Sequence, residues 1–150
     1  MMNPLTRRGA LLLGAGLTLT LVDIDEAAAT PAEAEAEIAK FTGGKAAESG
    51  KIAIDLPEIA ENGNTVSLAI KVESPMTADD YVSDIRVVGD ANPNPGIVTF
   101  HLTPAAGRAE VATRIRLGGT GTVTVLAKTS TGKFYAERKL VKVTVGGCGG

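Results

Sequence analysis

The chain has 150 residues, with 15 basic and 17 acidic side chains and a formal charge of −2. That length suits one domain with a sizeable core and is short for two. With three Phe, two Tyr and no Trp, and no excess of positive charge, it has neither the basic footprint nor the stacking platform of a nucleic-acid binder.

Residues 1–29 read as a removable leader. Thr6, Arg7 and Arg8 precede an uncharged stretch from Gly9 to Val22, and Ala27, Ala28 and Ala29 offer a small-residue cleavage site before Thr30. This is the anatomy of a secretory signal peptide. The stretch falls short of the roughly 20 apolar residues that a membrane-spanning helix needs. Paired arginines before a weakly hydrophobic segment point to the twin-arginine variety, which carries proteins already folded. Gly9 and Ala10 stand where that signal usually has a bulky apolar residue, and Asp23, Asp25 and Glu26 crowd the cleavage region. The expected destination is the periplasm. Without the leader, 13 of the 15 basic and 14 of the 17 acidic residues remain, so the mature part is close to neutral.

The mature chain opens with a helix pattern. Thr30 is a candidate N-cap, Pro31 suits the first helical position and Glu33 completes a capping box. The helix is expected to run to about Phe41 and to end on Gly43 and Gly44. Ile38 and Phe41 give it one apolar side, so it should dock on something.

From Lys51 onward the hydrophobic period is two. Ile52, Ile54 and Leu56 begin it, then Val66, Leu68, Ile70 and Val72, then Ile85 and Val87. Val98, Phe100 and Leu102 follow, then Val111, Ile115 and Leu117, then Val123 and Val125, and last the run from Lys133 to Val145. These are half-buried strands. Turn clusters lie between them: EIAENGN at 58–64, GDANPNPG at 89–96, TPAAGR at 103–108, GGTG at 118–121 and TSTG at 129–132. About seven short strands with no helix between them indicate an all-β, immunoglobulin-like antiparallel sandwich. Phe134, Ala136 and Leu140 take one parity in the last run, and Val141, Val143 and Val145 the other. Such a phase change predicts a β-bulge near Lys139 or Leu140. Residues 30–145 thus form the helix and sandwich, and residues 146–150, GGCGG, a terminal arm.

Few side chains suggest chemistry. His101, the sole histidine, has the parity of Thr99 and Thr103 and should point to solvent; one histidine is too little for a zinc site, which needs at least three protein ligands. Asp79 and Asp80 are adjacent, so they face different ways and suit a turn better than acid–base work. Arg114 and Arg116 share a strand face with Glu110, as a solvated surface or a docking face. No catalytic residue and no metal ligand set is legible.

Cys148 is the one cysteine. An exported protein meets oxidising conditions in which cysteines usually pair, so a single one bridges two chains or stays a free thiol. Gly146 and Gly147 lack a Cβ and form a swivel, while Gly149 and Gly150 add little bulk beyond the thiol. Three extended residues past Val145 carry the Cys148 backbone about 10 Å beyond the strand end. Lys142 is the nearest basic residue in sequence, so nothing local lowers the thiol pKa from its free value of ~8.5. The thiol is presented rather than activated, and other proteins must supply any acid, base or metal.

The twin-arginine-like leader, the internal EIAENGN and the terminal VGGCGG together resemble the SoxY family, the sulfur-carrier subunits of the bacterial thiosulfate-oxidising Sox system. The resemblance implies an immunoglobulin-like sandwich that forms a heterodimer with SoxZ. It identifies Cys148 as the covalent attachment point for sulfur, carried as S-sulfonate and persulfide adducts on a flexible arm of Gly146, Gly147, Gly149 and Gly150. Transient partners are then SoxAX, a c-type haem enzyme that joins the substrate to the thiol, SoxB, a dimanganese hydrolase that removes sulfonate as sulfate, and SoxCD. It implies no cofactor of the chain's own, since the bound sulfur is cargo. The alternative is an adhesion or scaffold sandwich dimerised through its cysteine. A third reading, a ubiquitin-like carrier acting through a terminal Gly-Gly carboxylate, fits poorly with an export signal.

Overall fold

A computed structural model describes residues 30–147; the leader, and Cys148, Gly149 and Gly150 at the tip, lie outside the described residues. Helix α1 (Pro31–Thr42) starts as its sequence dictates. The Thr30 N–H donates to Glu33 Oε2 at 2.8 Å, which satisfies one of the free donors at the helix start and sets an anion at the positive end of the dipole. The helix runs one residue past Phe41 and stops where Gly43 takes φ 63°, a left-handed conformation that glycine adopts without strain. Among the described residues no helix is long and apolar enough to cross a membrane.

Eight strands follow: β1 (Ile52–Asp55), β2 (Ile59–Asn62), β3 (Val66–Val72), β4 (Val82–Gly89), β5 (Gly96–His101), β6 (Ala109–Ile115), β7 (Gly121–Thr129) and β8 (Phe134–Val145). They form a three-stranded sheet in the order β1-β3-β6 and a five-stranded sheet in the order β2-β8-β7-β4-β5. The strand that alternation does not show is β2, inside the segment that reads as a turn cluster. It has four residues of which only Ala60 is buried, too little pattern to stand out from a loop. It also departs from the antiparallel expectation, because it lies parallel to β8 with Ile59 opposite Lys142 and Asn62 opposite Val145.

The core lies between the sheets, where Val66, Leu68, Ile70 and Val72 of β3 meet Val82, Ile85, Val87, Val123, Val125 and Val141 of the larger sheet. A second, smaller cluster forms on the outer face of that sheet. There Ala34, Ile38 and Phe41 of α1 pack on Val88, Leu126 and Ala136, and the Phe41 ring meets Phe134 edge-on with centroids 6.0 Å apart.

This second layer explains β8. The expected bulge near Lys139 or Leu140 is absent: pairing with β7 runs unbroken from Phe134 opposite Lys128 to Val141 opposite Gly121. Strict alternation instead sends Tyr135, Val141 and Val143 toward the main core and Phe134 and Ala136 toward the helix. Leu140 follows the helix-side parity beyond the helix's reach and is 57% exposed. Two apolar faces look like a phase slip when only one is anticipated. The irregularities in register lie in β4, between Val82 and Asp84 and between Val87 and Val88.

Two ion pairs tie the helix to the sheet: an exposed one in which Arg138 on β8 donates to Glu35 Oε1 at 2.8 Å, and a less exposed one from Arg86. Arg86 on β4 donates to Glu37 Oε2 at 2.9 Å and to Thr99 Oγ1 at 2.6 Å, with both members of the ion pair about a quarter exposed. Glu37→Ala should lower stability by about 1 kcal/mol, the upper end for a partly solvated pair. In urea titrations the gap from the parent should narrow as salt is raised; a salt-independent gap would mean that packing, not charge, holds the helix there.

Candidate functional site: the root of the C-terminal arm

The last strand does not simply run out into solvent. Gly63, in the turn after β2, donates its N–H to the Val145 carbonyl at 2.7 Å. The Gly63 carbonyl in turn accepts from the Leu117 N–H at 2.8 Å, and the Leu117 carbonyl accepts from the Gly147 N–H at 2.9 Å. Three segments distant in sequence are thereby laced around the point where the arm departs: the β2–β3 turn, the β6–β7 loop and the end of β8.

Side chains have no room there. A Cβ on Gly63 would collide with the Leu117 carbonyl and lie 2.8 Å from the Gly147 nitrogen, and one on Gly146 would collide with the Gly118 carbonyl. On Gly147 it would stand 2.8 Å from the Gly63 oxygen. Real Cβ atoms do not approach backbone so closely, so these glycines have a use at rest, before any swivelling: they let backbones meet. The turn that supplies Gly63 is closed by Asn62, whose Oδ1 accepts the Asn64 N–H at 3.0 Å, the usual role of Asn before Gly in a turn.

The β6–β7 loop is fixed from behind by Asn92. The residue is 2% exposed, and its side chain donates to the Arg116 carbonyl at 2.9 Å and accepts from the Gly118 N–H at 2.8 Å. A buried amide that bridges a loop from within is costly to remove, because its partners are left without water. Asn92→Ala should cost about 2 kcal/mol and speed hydrogen exchange at Leu117 and Gly147. Unchanged exchange at those two amides would show that the loop stands without Asn92. Nothing in the sequence singles out Asn92 from the other turn residues of GDANPNPG; Gly63 and Gly118 likewise read as ordinary turn glycines.

The other sequence candidates are scattered. His101 is 78% exposed and its Nδ1 lies 2.5 Å from Asp84 Oδ1, a surface pair across β4 and β5. Asp79 and Asp80 sit in a turn in which the Thr77 N–H donates to the Asp80 carbonyl at 2.9 Å. Ile38 and Phe41, the apolar side of the helix that should dock on something, are taken up by the chain's own sheet. Arg114 and Arg116 are exposed at the end of β6 and just beyond it. Because Leu117 holds Gly147, the fold brings Arg116 to the arm root, whereas sequence order gave Lys142 as the nearest base. Among the described residues there is no group of three or more His, Cys, Asp or Glu able to hold a metal ion.

The model of the family described as "Sulfur oxidation protein SoxY" matches residues 38–148, from the middle of α1 through the arm root to Cys148. The chain belongs to the SoxY family. Among solved structures, the sulfur carrier protein SoxY from Chlorobium limicola f thiosulfatophilum superposes with a TM-score of 0.63 at 29% identity, covering 76% of this chain and 98% of that one. The superoxide reductase (neelaredoxin) from Ignicoccus hospitalis gives 0.57 at 18% identity over 77% of this chain and 94% of that one. The superoxide reductase from Nanoarchaeum equitans gives 0.50 at 9% identity over 64% of this chain and all of that one. At such identities the reductases share the sandwich fold and nothing more follows from them. No curated protein matches the chain. Membership bears out the resemblance carried by EIAENGN and VGGCGG, and the structure adds that these two motifs touch, through Gly63 and Gly147.

Proposed function

We propose that this chain is an exported, non-catalytic carrier of the Sox system that holds sulfur intermediates on Cys148 and presents them to partner enzymes. The observation that carries this reading is the coincidence of the family match, which extends to Cys148, with an arm root built so that the chain emerges through a collar of glycines directly before the thiol.

Sulfur suits the role. Joining the Cys148 thiolate to thiosulfate makes an S–S bond and releases an electron pair, which a haem partner such as SoxAX takes up. Hydrolytic removal of sulfonate as sulfate, the work of SoxB, leaves a persulfide, and SoxCD oxidises that sulfane sulfur. Each adduct is joined and released by attack at sulfur, as in thiol–disulfide exchange. In this reading SoxZ is the heterodimer partner and the periplasm the compartment, reached by the twin-arginine route.

The collar sets the terms of arm movement. To swing beyond its resting reach the arm must give up the Gly147–Leu117 hydrogen bond, a net cost of about 1 kcal/mol. That is small enough to be met by binding at a partner's active site. Reconstitution tests the reading: with SoxZ, SoxAX and SoxB present, thiosulfate oxidation should require this chain, and the chain should elute with SoxZ as one species. Full turnover in its absence would refute it.

A further inference from the structure

Two strand edges lie side by side on the flank of the sandwich away from β2: β5 closes the larger sheet and β6 the smaller. Between them runs an open groove of about 460 Å³. Its polar lining includes Arg114, Arg116, Thr113 and Asn94 and its apolar lining Ile97 and Val98, and no carboxylate lines it. Among the described residues the Arg114 guanidinium has no ion-pair partner. The larger groove, between β2 and β3 at about 830 Å³, also includes Arg114 but has Asp55 and Glu61 in its lining, so its charge does not favour an anion.

Arg116, which lines the cationic groove, is the neighbour in sequence of an arm-root residue. Gly147 is bonded to the Leu117 carbonyl at 2.9 Å, Arg116 adjoins Leu117, and Cys148 adjoins Gly147. With about 3.8 Å between successive Cα atoms, the Cys148 and Arg116 Cα atoms lie within roughly 15 Å of each other. An extended arginine and a cysteine bearing a thiosulfonate span that distance between them. The adducts of the carrier reading that end in a sulfonate are anions with three acceptor oxygens, the shape that the guanidinium fork binds well.

The geometry points to a resting berth: the arm, once loaded with a sulfonate-terminated adduct, folds back and lays that anion in the groove between β5 and β6, against Arg114 and Arg116. The unloaded thiol lacks the charge and does not dock. The berth rests on the carrier reading only in that the cargo is anionic. It holds the cargo against the body between visits to partner enzymes and gives it up once sulfonate is cleaved.

The test uses the full mature chain as purified. Tetrathionate loads it without any other oxidant: the Cys148 thiolate attacks a central sulfur, a Cys–S–S–SO₃⁻ adduct forms, and thiosulfate leaves with the bonding electrons. Iodoacetamide gives a neutral adduct of similar bulk. In ¹⁵N–¹H spectra the thiosulfonate form should shift the amides of Ile97, Val98 and Thr113 to Arg116, and the neutral adduct should not. The shifts should shrink with added salt and be lost in the Arg114→Gln/Arg116→Gln double variant, whose own thiol-form spectrum reports that it is folded. Shifts confined to Gly63, Leu117, Gly146 and Gly147, or equal shifts from the neutral adduct, would overturn the berth. So would groove shifts that appear only on adding a partner protein, since the groove would then be a protein-docking face. Because loading here is chemical, the result is independent of enzymatic turnover: a berth can fail while enzymes still load Cys148, and the carrier reading can fail while the berth stands.

Discussion

Cys148→Ser should abolish thiosulfate-dependent turnover in the reconstituted system while leaving the sandwich as stable as before. Among the described residues Gly147 makes the inter-segment hydrogen bond nearest the tip, through its backbone, and exchanging one sulfur for one oxygen at the next residue changes no backbone group. Its melting temperature should stay within roughly 2 °C of the parent, in line with the ~0.5 kcal/mol that substitutions away from packed features cost. Serine keeps the shape and the polar atom but cannot form persulfides or S-sulfonates. A melting shift of many degrees would make the tip structural, and retained turnover would revive a carrier that works through its terminal carboxylate. A stable disulfide-linked dimer required for activity would favour the scaffold alternative.

Gly63→Ala should be the most destabilising single-methyl change near the arm. The added Cβ would strike the Leu117 carbonyl and press on the Gly147 nitrogen and the Val143 side chain, the last at 3.0 Å. Backbone cannot rotate aside as a side chain can. Overpacking of this kind costs about 3 kcal/mol, which for a domain of this size is a fall of roughly 10 °C in melting temperature. The same change should disturb the arm root, so that partner-dependent loading of Cys148 slows even at temperatures where the variant is folded. Alkylation of the thiol by a small reagent should be unaffected, which separates faulty presentation from a buried thiol. If Gly63→Ala melts with the parent, the three laced segments are not held as tightly as the hydrogen bonds imply.

What the sequence discloses about this fold follows from period. Strands β3 and β6, whose inner faces alternate over seven residues each, are legible because one face is buried and the other wet. Helix α1 is legible from its ends, Thr30, Pro31 and Glu33 at the start and Gly43 at the stop. Period fails where a strand has no wet face or too little length. Strand β8 is buried on one side by the opposite sheet and on the other by Phe41, so its two apolar parities imitate a bulge; β2 is too short to alternate.

The site divides along the same line. Cys148 and its glycines are visible because a lone thiol in a side-chain-free tail is improbable by composition. The collar is invisible because Gly63, Asn92 and Gly118 matter for what approaches them across gaps of many residues, and each alone reads as a turn residue. The groove between β5 and β6 is likewise a product of topology: Arg114 and Arg116 are plain in the sequence, but their nearness to the arm depends on the bond from Gly147 to Leu117.

The central claim, that sulfur travels on Cys148, is tested most directly by mass spectrometry of the C-terminal peptide taken from the reconstituted system during thiosulfate turnover. The expected result is a succession of adducts on Cys148, with a sulfonate-terminated form appearing when SoxAX is added and a persulfide accumulating once SoxB follows. A C-terminal peptide that stays an unmodified thiol while sulfate is produced would contradict the claim.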